Sequence, residues 1–242
     1  PPTATLPGAT PPASPTPAGP SPTPCRLTFT DVTPAEYFYT PVRDLACRGV
    51  ISGYADGTFR PYTPTTRAQL VKIVVLGFAT PLVTPVGGGY RFADVPPGQP
   101  FFTLVETAAA AGLVSGYGCG GPGEPCDAAG RPYFRPYAPV TRGQLAKITV
   151  GAAGWVLLAP PAPGTFTDVL PGTAFYGFVE TAYCHGVVSG YACGGPGEPC
   201  DAAGRAYFRP GGPATRGQIA KIIYFAIAEP VTCLGSAGAP PR

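Results

Sequence analysis

Two kinds of side chain in this sequence recur at regular spacing and are able to do chemistry: cysteine and arginine. The eight cysteines are an even number, which is typical of disulfide-bonded proteins from oxidising compartments. Three arginines each follow a threonine and stand two residues before a glutamine: Arg67, Arg142 and Arg216. Because a guanidinium presents a planar fork that suits carboxylates, this pattern predicts contacts with anionic groups.

Four of the cysteines bound two near copies of one loop. Cys119 and Cys126 enclose Gly-Gly-Pro-Gly-Glu-Pro, and Cys193 and Cys200 enclose the same residues. Glycine and proline at this density exclude a helix, and a cysteine at each end can close such a loop into a small ring. Each loop is therefore predicted to carry its own disulfide bond, Cys119–Cys126 and Cys193–Cys200. Zinc binding is the alternative interpretation of close cysteines. It is disfavoured because the single histidine, His185, lies outside both loops, and no metal is predicted.

The other four cysteines flank or enter the predicted helices described below. They are Cys25, Cys47, Cys184 and Cys233. The local pairing, Cys25–Cys47 and Cys184–Cys233, ties each end of the chain to a nearby helix. Spacing alone leaves the other pairings open.

The elements that must position these residues are three copies of one unit. Each copy reads Phe-x-Asp-Val, Gly-Tyr, Phe-Arg-Pro and Thr-Arg-x-Gln in that order. The tyrosines are candidates for lining a binding pocket, with loop packing as the alternative: Tyr54, Tyr117 and Tyr191. The predicted divisions are a tail, three repeats and a C-terminal tail: 1–24, 25–85, 86–160, 161–235 and 236–242.

Each repeat reads as helix, loop, helix. The first helices are predicted over residues 38–48, 101–111 and 175–185, each followed by a glycine that suits the C′ position. The second helices begin at threonines with glutamine three residues later, a capping-box pattern: Thr66, Thr141 and Thr215. One unit cannot bury its own apolar face, so the three are predicted to close into a mainly α-helical, pseudo-threefold bundle.

This order of motifs resembles the S-layer homology domain, from residue 29 to about residue 227. The resemblance implies a helical bundle on exported envelope proteins and non-covalent attachment to a cell-wall polysaccharide that carries acidic groups. It also implies that the motif arginines contact the glycan: Arg67, Arg142 and Arg216. The residues themselves leave a second, compatible role open, which is an internal ion pair with an aspartate: Asp31, Asp94 or Asp168.

Two positions depart from the pattern of that family. Glutamine replaces the motif glutamate at Gln69, Gln144 and Gln218. Phenylalanine replaces a tryptophan early in the first helix at Phe38, Phe101 and Phe175. Phenylalanine lacks the indole N–H and cannot hydrogen-bond a sugar hydroxyl, although its ring can still stack on a sugar. We interpret these three phenylalanines as core residues.

The N-terminal tail, residues 1–24, alternates proline with small and hydroxylated residues. Such a segment has little to bury and is predicted to be extended and polyproline-II-like. Its hydroxyl groups are candidates for O-glycosylation: Thr3, Thr5, Thr10, Ser14, Thr16, Ser21 and Thr23. Polyproline II segments dock on aromatic surfaces, so the tail is also predicted to pack on a neighbouring copy of the chain.

Composition narrows the class of function. Only 12% of residues are charged and the net charge is +3 without a basic run, which argues against a nucleic-acid partner. No apolar run reaches the roughly 20 residues that span a bilayer, so membrane insertion is not expected. We expect a secreted protein at the extracellular cell surface, because the sequence opens at Pro1 as if a signal peptide had been removed. Few thermolabile residues also hint at a thermophilic source.

Two functions fit these observations, and neither is enzymatic. No recurrent Ser/His/Asp, Cys/His or paired-carboxylate arrangement exists, so no catalytic residue and no cofactor are predicted. The preferred hypothesis is a structural protein that self-assembles into a filament or surface lattice through the tail, because the chain holds little besides repeats and tail. The alternative is a carbohydrate-binding anchor that attaches to an acidic cell-envelope polysaccharide.

Overall fold

The computed structural model describes residues 25, 27–85, 87, 89–158, 160, 162–228 and 233. Six helices lie in this part of the chain: α1 (Tyr39–Cys47), α2 (Arg67–Gly77), α3 (Phe102–Ala110), α4 (Arg142–Ala152), α5 (Tyr176–Cys184) and α6 (Arg216–Ala228). Apart from isolated bridges, these described residues form no β-strand. The predicted mainly α-helical fold of three helix pairs is confirmed. The tail, with its candidate glycosylation residues, lies outside the described residues.

The helix ends follow from local sequence signals. The glycines after the three first helices have φ angles of 72°, 72° and 70°: Gly49, Gly112 and Gly186. At the first of them, Gly49 N–H donates to the Ala46 carbonyl at 3.0 Å and Val50 N–H donates to the Leu45 carbonyl at 2.9 Å. These two hydrogen bonds are those of a Schellman motif. The second helices start with the predicted capping boxes, in which the threonine and glutamine side chains each bond the other residue's backbone N–H.

The three repeats interlock around a pseudo-threefold axis. The second helix of each repeat packs on the first helix of the next, so that α2 lies on α3, α4 on α5 and α6 on α1. At the axis, three backbone hydrogen bonds form a closed ring: Thr65 N–H to Ala214 (3.0 Å), Ala214 N–H to Val140 (2.9 Å) and Val140 N–H to Thr65 (2.9 Å). Fully buried leucine, isoleucine and phenylalanine side chains fill the centre.

All eight cysteines are paired in the structure. The two Gly/Pro loops close as predicted through Cys119–Cys126 and Cys193–Cys200, each with Cα atoms 4.9 Å apart. The ends of the bundle are joined by the local pairs, Cys25–Cys47 and Cys184–Cys233. The first helix of repeat two has Ala110 at the equivalent position, so its end carries no such bridge.

Candidate binding grooves between the repeats

The motif arginines lie between the repeats. Arg142 starts α4 directly after its capping threonine, and its side chain crosses to repeat three. There Nε donates to the carbonyl of Phe208 at 2.7 Å and Nη2 donates to that of Ser189 at 3.0 Å. The equivalent bonds run from Arg216 to repeat one at 2.7 and 2.8 Å, and from Arg67 to repeat two at 2.9 and 3.4 Å. Each arginine therefore fastens one repeat to the next around the ring.

The aspartates of the Phe-x-Asp-Val motif do not form the internal ion pair that the residues left open. Among the described residues, Asp94 accepts instead from two backbone N–H groups, those of Phe134 at 2.7 Å and Arg135 at 2.6 Å. Asp31 and Asp168 make the same two contacts in their own repeats. This pair of hydrogen bonds holds three arginines at φ angles of 58°, 58° and 59°, which non-glycine residues rarely adopt: Arg60, Arg135 and Arg209.

These left-handed arginines form a second set that the sequence reasoning missed. The guanidinium carbon of Arg135 lies 4.0 Å from the ring centroid of Tyr117, and that of Arg67 lies 5.1 Å from the same centroid. Tyr191 is contacted in the same way by Arg209 and Arg142 at 4.0 and 4.9 Å. Each predicted tyrosine therefore packs against two cations, one from its own repeat and one from a neighbouring repeat. The signal was present, because Phe-Arg-Pro recurs three times in the sequence.

The disulfide-closed loops supply a carboxylate to this second set. Glu124 binds Arg135 through two bonds of 2.7 and 2.8 Å, and Glu198 binds Arg209 with the same distances. These hydrogen bonds hold the pKa of both glutamates below its ordinary value. Burial acts on the motif arginines, whose pKa it lowers, but an arginine stays protonated in a protein. The loops thus neutralise Arg135 and Arg209, and Asp56 neutralises Arg60 at 2.9 Å, whereas the motif arginines have no carboxylate partner among the described residues.

Two grooves open beside the motif arginines. The α6 groove, of about 230 Å³, is lined by Tyr37, Arg142, Ser189, Tyr191, Gln218 and Lys221 with apolar neighbours. The α4 groove, of about 140 Å³, is lined by Arg67, Ser115, Tyr117, Gln144, Lys147 and Phe175 with apolar neighbours. Neither lining includes a carboxylate, so both grooves are cationic.

The motif glutamine orients the tyrosine in each groove. In the α6 groove, Gln218 accepts the N–H of Thr215 through Oε1 at 3.1 Å and donates from Nε2 to the Tyr191 hydroxyl at 2.8 Å. Gln144 joins Thr141 and Tyr117 with the same two distances. The tyrosine oxygen acts as acceptor toward glutamine, which leaves the hydroxyl hydrogen to donate elsewhere.

The lysines mark the same position in every repeat. The sequence has three lysines, each five residues after a motif arginine on a second helix: Lys72, Lys147 and Lys221. Two of them line the grooves just described. The chain thus carries all of its lysine side chains at one repeated location beside a buried arginine.

The phenylalanines that replace tryptophan differ between the repeats. Phe38 is fully buried, as the core interpretation predicts, and Tyr37 covers it at a centroid distance of 4.9 Å. Phe101 and Phe175 are only partly buried. Both pack against the core, and Phe175 also lines the α4 groove. Gly143 makes room for this ring, because a Cβ at that position would come within 2.6 Å of it. An aromatic surface is therefore available to a ligand in both grooves.

A sequence profile of the S-layer homology domain matches residues 28–71, 91–146 and 165–220. The three matches together cover more than half of the sequence. The chain belongs to the S-layer homology domain family. Membership in the S-layer homology family indicates a protein of the cell surface, and the four disulfide bonds agree with an extracellular position. None of the curated proteins compared with the chain matches it.

Two further findings concern the described residues alone. Their helices are too short or too polar to cross a membrane. Within the same part of the chain, no three histidine, cysteine, aspartate or glutamate side chains converge as a metal ion would require.

Proposed function

We propose that this S-layer homology protein is a non-catalytic surface module that binds an acidic cell-envelope polysaccharide in the grooves between its repeats. One observation carries the proposal. Each groove combines a buried arginine, a lysine and a glutamine-held tyrosine, and its lining contains no carboxylate. Such a site is suited to an anion attached to a sugar, for example a carboxylate.

The groove geometry suggests how each group would act. Arg142 uses Nε and Nη2 to bind repeat three, so a ligand anion would meet Nη1. The Tyr191 hydroxyl oxygen already accepts a hydrogen bond from Gln218 Nε2, so its hydrogen would be free to donate to a ligand oxygen. Lys221 would add a mobile point charge at the edge of the groove. The ring of Tyr37 would stack on a sugar face.

Replacing the three lysines with methionine tests this function without disturbing the buried arginines. The variant carries Lys72→Met, Lys147→Met and Lys221→Met. Since an exposed charge pair contributes up to about 1 kcal/mol, we expect affinity for purified envelope polysaccharide to fall about fivefold per groove. Titration calorimetry with native glycan, and with glycan stripped of its anionic substituents, measures the change.

The matched control is Arg48→Met, which removes an exposed cation at the end of α1, outside both grooves. Binding of native glycan by this control should equal that of the unaltered protein. The stripped glycan should bind the lysine variant and the unaltered protein alike. Undiminished binding of native glycan by the lysine variant would show that the polysaccharide does not use these grooves.

A second candidate function is self-assembly through the N-terminal tail. It is supported by apolar side chains that face solvent on the segments connecting the repeats: Leu82 is 60% exposed, Val156 84% and Leu157 50%. Electron microscopy of the chain without residues 1–24 tests it. Loss of polymers that the full chain forms supports the role of the tail, whereas intact polymers contradict it. Secretion, O-glycosylation of the tail and a thermophilic source remain predictions.

A further inference from the structure

The two grooves differ in the aromatic side chains at the start of the first helix beside them. In the α6 groove this helix is α1, and Tyr37 stands two residues before it. In the α4 groove the helix is α5, and the residue at the equivalent position is Ala174. The α4 groove therefore exposes the ring of Phe175 itself, whereas in the α6 groove Tyr37 covers the equivalent ring, that of Phe38.

A second exposed ring packs on the same phenylalanine. The ring centroid of Tyr62 lies 5.6 Å from that of Phe38, and the centroid of Tyr37 lies 4.9 Å from it. Tyr62 is 64% exposed and Tyr37 is 52% exposed. We call these two residues the tyrosine platform. Exposed rings that share one buried neighbour form a continuous aromatic surface, which is typical of a binding site.

The tyrosine platform adjoins the cationic part of the α6 groove. Tyr37 lines the groove together with Arg142 and Tyr191, and the Lys221 ammonium lies 5.6 Å from the Tyr37 ring centroid. Burial raises the pKa of Tyr37, and the nearby hydroxyls of Tyr191 and Tyr62 raise it further. The Arg142 cation acts in the opposite direction. Tyr37 therefore lies close both to the groove and to Tyr62, and it joins them.

The charge reverses at the far end of the tyrosine platform. The Tyr62 hydroxyl donates to Glu36 Oε2 at 3.0 Å, and Glu36 directly precedes Tyr37 in the chain. A carboxylate here repels a second acidic sugar and can accept hydrogen bonds from the hydroxyls of an uncharged one. Groove and platform together run from a cationic end at Arg142 to an aromatic and acidic end at Tyr62 and Glu36.

Neither of the other repeats carries both tyrosines of the platform. Repeat three has Ala174 and Gly211 at the two positions. Repeat two keeps the outer tyrosine as Tyr137, which is as exposed as Tyr62, but it has Pro100 in place of the inner one. The tyrosine pair therefore distinguishes the α6 groove from the α4 groove.

We propose that the α6 groove binds two consecutive sugars, an acidic one at Arg142 and an uncharged one on the tyrosine platform. This inference rests on the proposed function and specifies its ligand. The α4 groove, which lacks the platform, binds the acidic sugar alone. A tyrosine ring presents an apolar face to the C–H groups of a sugar and a hydroxyl to its polar edge. The polysaccharide is then one in which acidic and uncharged sugars are neighbours, and the change of charge along the groove fixes its direction.

NMR titration of the intact chain gives one affinity for each groove. The probe is short fragments of the purified native polysaccharide that keep their acidic groups. The sequence has no asparagine, so the side-chain amide signals come from its glutamines alone: Gln69, Gln99, Gln144 and Gln218. Gln218 lines the α6 groove and Gln144 the α4 groove, and each donates from Nε2 to a groove tyrosine. We expect both signals to shift, Gln218 at the lower fragment concentration.

Tyr62→Ala should weaken the affinity reported by Gln218 about tenfold, as truncation of an interface tyrosine does, and leave that reported by Gln144 unchanged. Tyr62→Phe keeps the ring and should restore most of the affinity. The loss should not depend on salt, because the sugar on the platform is uncharged. The matched control is Tyr137→Ala, which removes an equally exposed tyrosine bonded to Gln99 at 3.2 Å and should change neither affinity.

Installing the platform beside the α4 groove tests the same inference by a gain of binding. The double variant carries Ala174→Tyr and Gly211→Tyr. Ala174 is exposed, and a Cβ at Gly211 would meet no described atom within 4 Å, so both side chains have room. We expect the affinity reported by Gln144 to rise toward that of the α6 groove, with the Gln218 value unchanged.

The possible failures are distinguishable. If the fragments shift both glutamines, but Tyr62→Ala binds at Gln218 like the unaltered protein while circular dichroism shows an intact fold, the tyrosine platform is no subsite and the proposed function stands. If the fragments shift neither glutamine in the unaltered protein, the proposed function fails and the platform with it. A large rise of the Gln218 affinity in Glu36→Gln would contradict the uncharged sugar, since an acidic one would then lie on the platform.

Discussion

Replacing Arg142 with methionine is expected to lower the free energy of unfolding by about 2–5 kcal/mol, because two buried carbonyls lose their donor. The arginine is 6% exposed, and its guanidinium donates to two backbone carbonyls of repeat three. Methionine fills part of the same volume but leaves the carbonyls of Phe208 and Ser189 without their donor, which costs the desolvation of both groups. Urea denaturation followed by circular dichroism measures the loss. Arg216→Met should cost as much, and Arg67→Met less, because the Arg67 bond to Ser115 is longer, at 3.4 Å.

Lys221→Met is the matched control for this loss of stability. Lys221 lines the same groove as Arg142, but it is only partly buried on α6. Its replacement should change the free energy of unfolding by no more than about 0.5 kcal/mol. If Arg142→Met and Lys221→Met lower the free energy of unfolding by the same small amount, apolar packing holds the repeats together. The motif arginine that recurs in all three repeats would then serve ligand binding alone.

The helices and their ends were predictable because their signals are local. A capping threonine, a glutamine three residues later and a C′ glycine act within one turn of the helix they delimit. The two loop disulfides were also predictable from a short segment, since their partners are 7 residues apart. The pairs separated by 22 and 49 residues were the local choice among pairings that spacing left open. Even the closed bundle followed from three similar apolar faces, because such faces can be buried only against each other.

The partners of the motif arginines could not be predicted in the same way. Arg142 bonds carbonyls 66 and 47 residues away, and backbone carbonyls carry no signature in a sequence. A sequence shows charges, so it suggested an aspartate as the internal partner. The aspartates instead accept hydrogen bonds from backbone N–H groups, and these bonds hold the arginines in the left-handed conformation. Which phenylalanine faces a groove was hidden for a related reason. Gly143 and Gly217 make room for Phe175 and Phe38 alike, and Phe38 differs because the rings of Tyr37 and Tyr62 pack on it.

Exchanging Gln144 and Gln218 for glutamate, the residue of the family pattern, is expected to weaken binding of an acidic polysaccharide in these grooves. For a separation of about 5 Å between the new carboxylate and the ligand anion, and an effective dielectric constant of 20, the repulsion is about 3 kcal/mol, or about a hundredfold per groove. Glutamate also reverses the bond with the tyrosine, because the hydroxyls of Tyr117 and Tyr191 must then donate to the new carboxylate. Calorimetric titration with the native glycan measures the affinity.

The fold should tolerate this exchange, which makes the prediction specific to binding. The Gln218 Oε1 atom accepts the N–H of Thr215, and a glutamate oxygen accepts it equally well. A negative charge in the first turn of α4 and α6 also interacts favourably with the helix dipole, so the thermal midpoint should be unchanged or higher. The double variant Gln144→Met with Gln218→Met separates the effect of the added charge from that of the altered tyrosine hydrogen bond, because it removes this hydrogen bond without adding charge. We expect it to weaken binding only about fivefold.

Ionic strength then distinguishes a charged groove from a merely polar one. The loss caused by glutamate should shrink as salt rises, because screening weakens repulsion between partly exposed charges. The loss caused by methionine should stay constant. If the glutamate variant binds the glycan as tightly as the unaltered protein at low salt, the ligand lies elsewhere on the bundle. The arginines, tyrosines and lysines of the grooves would then serve only to join the repeats.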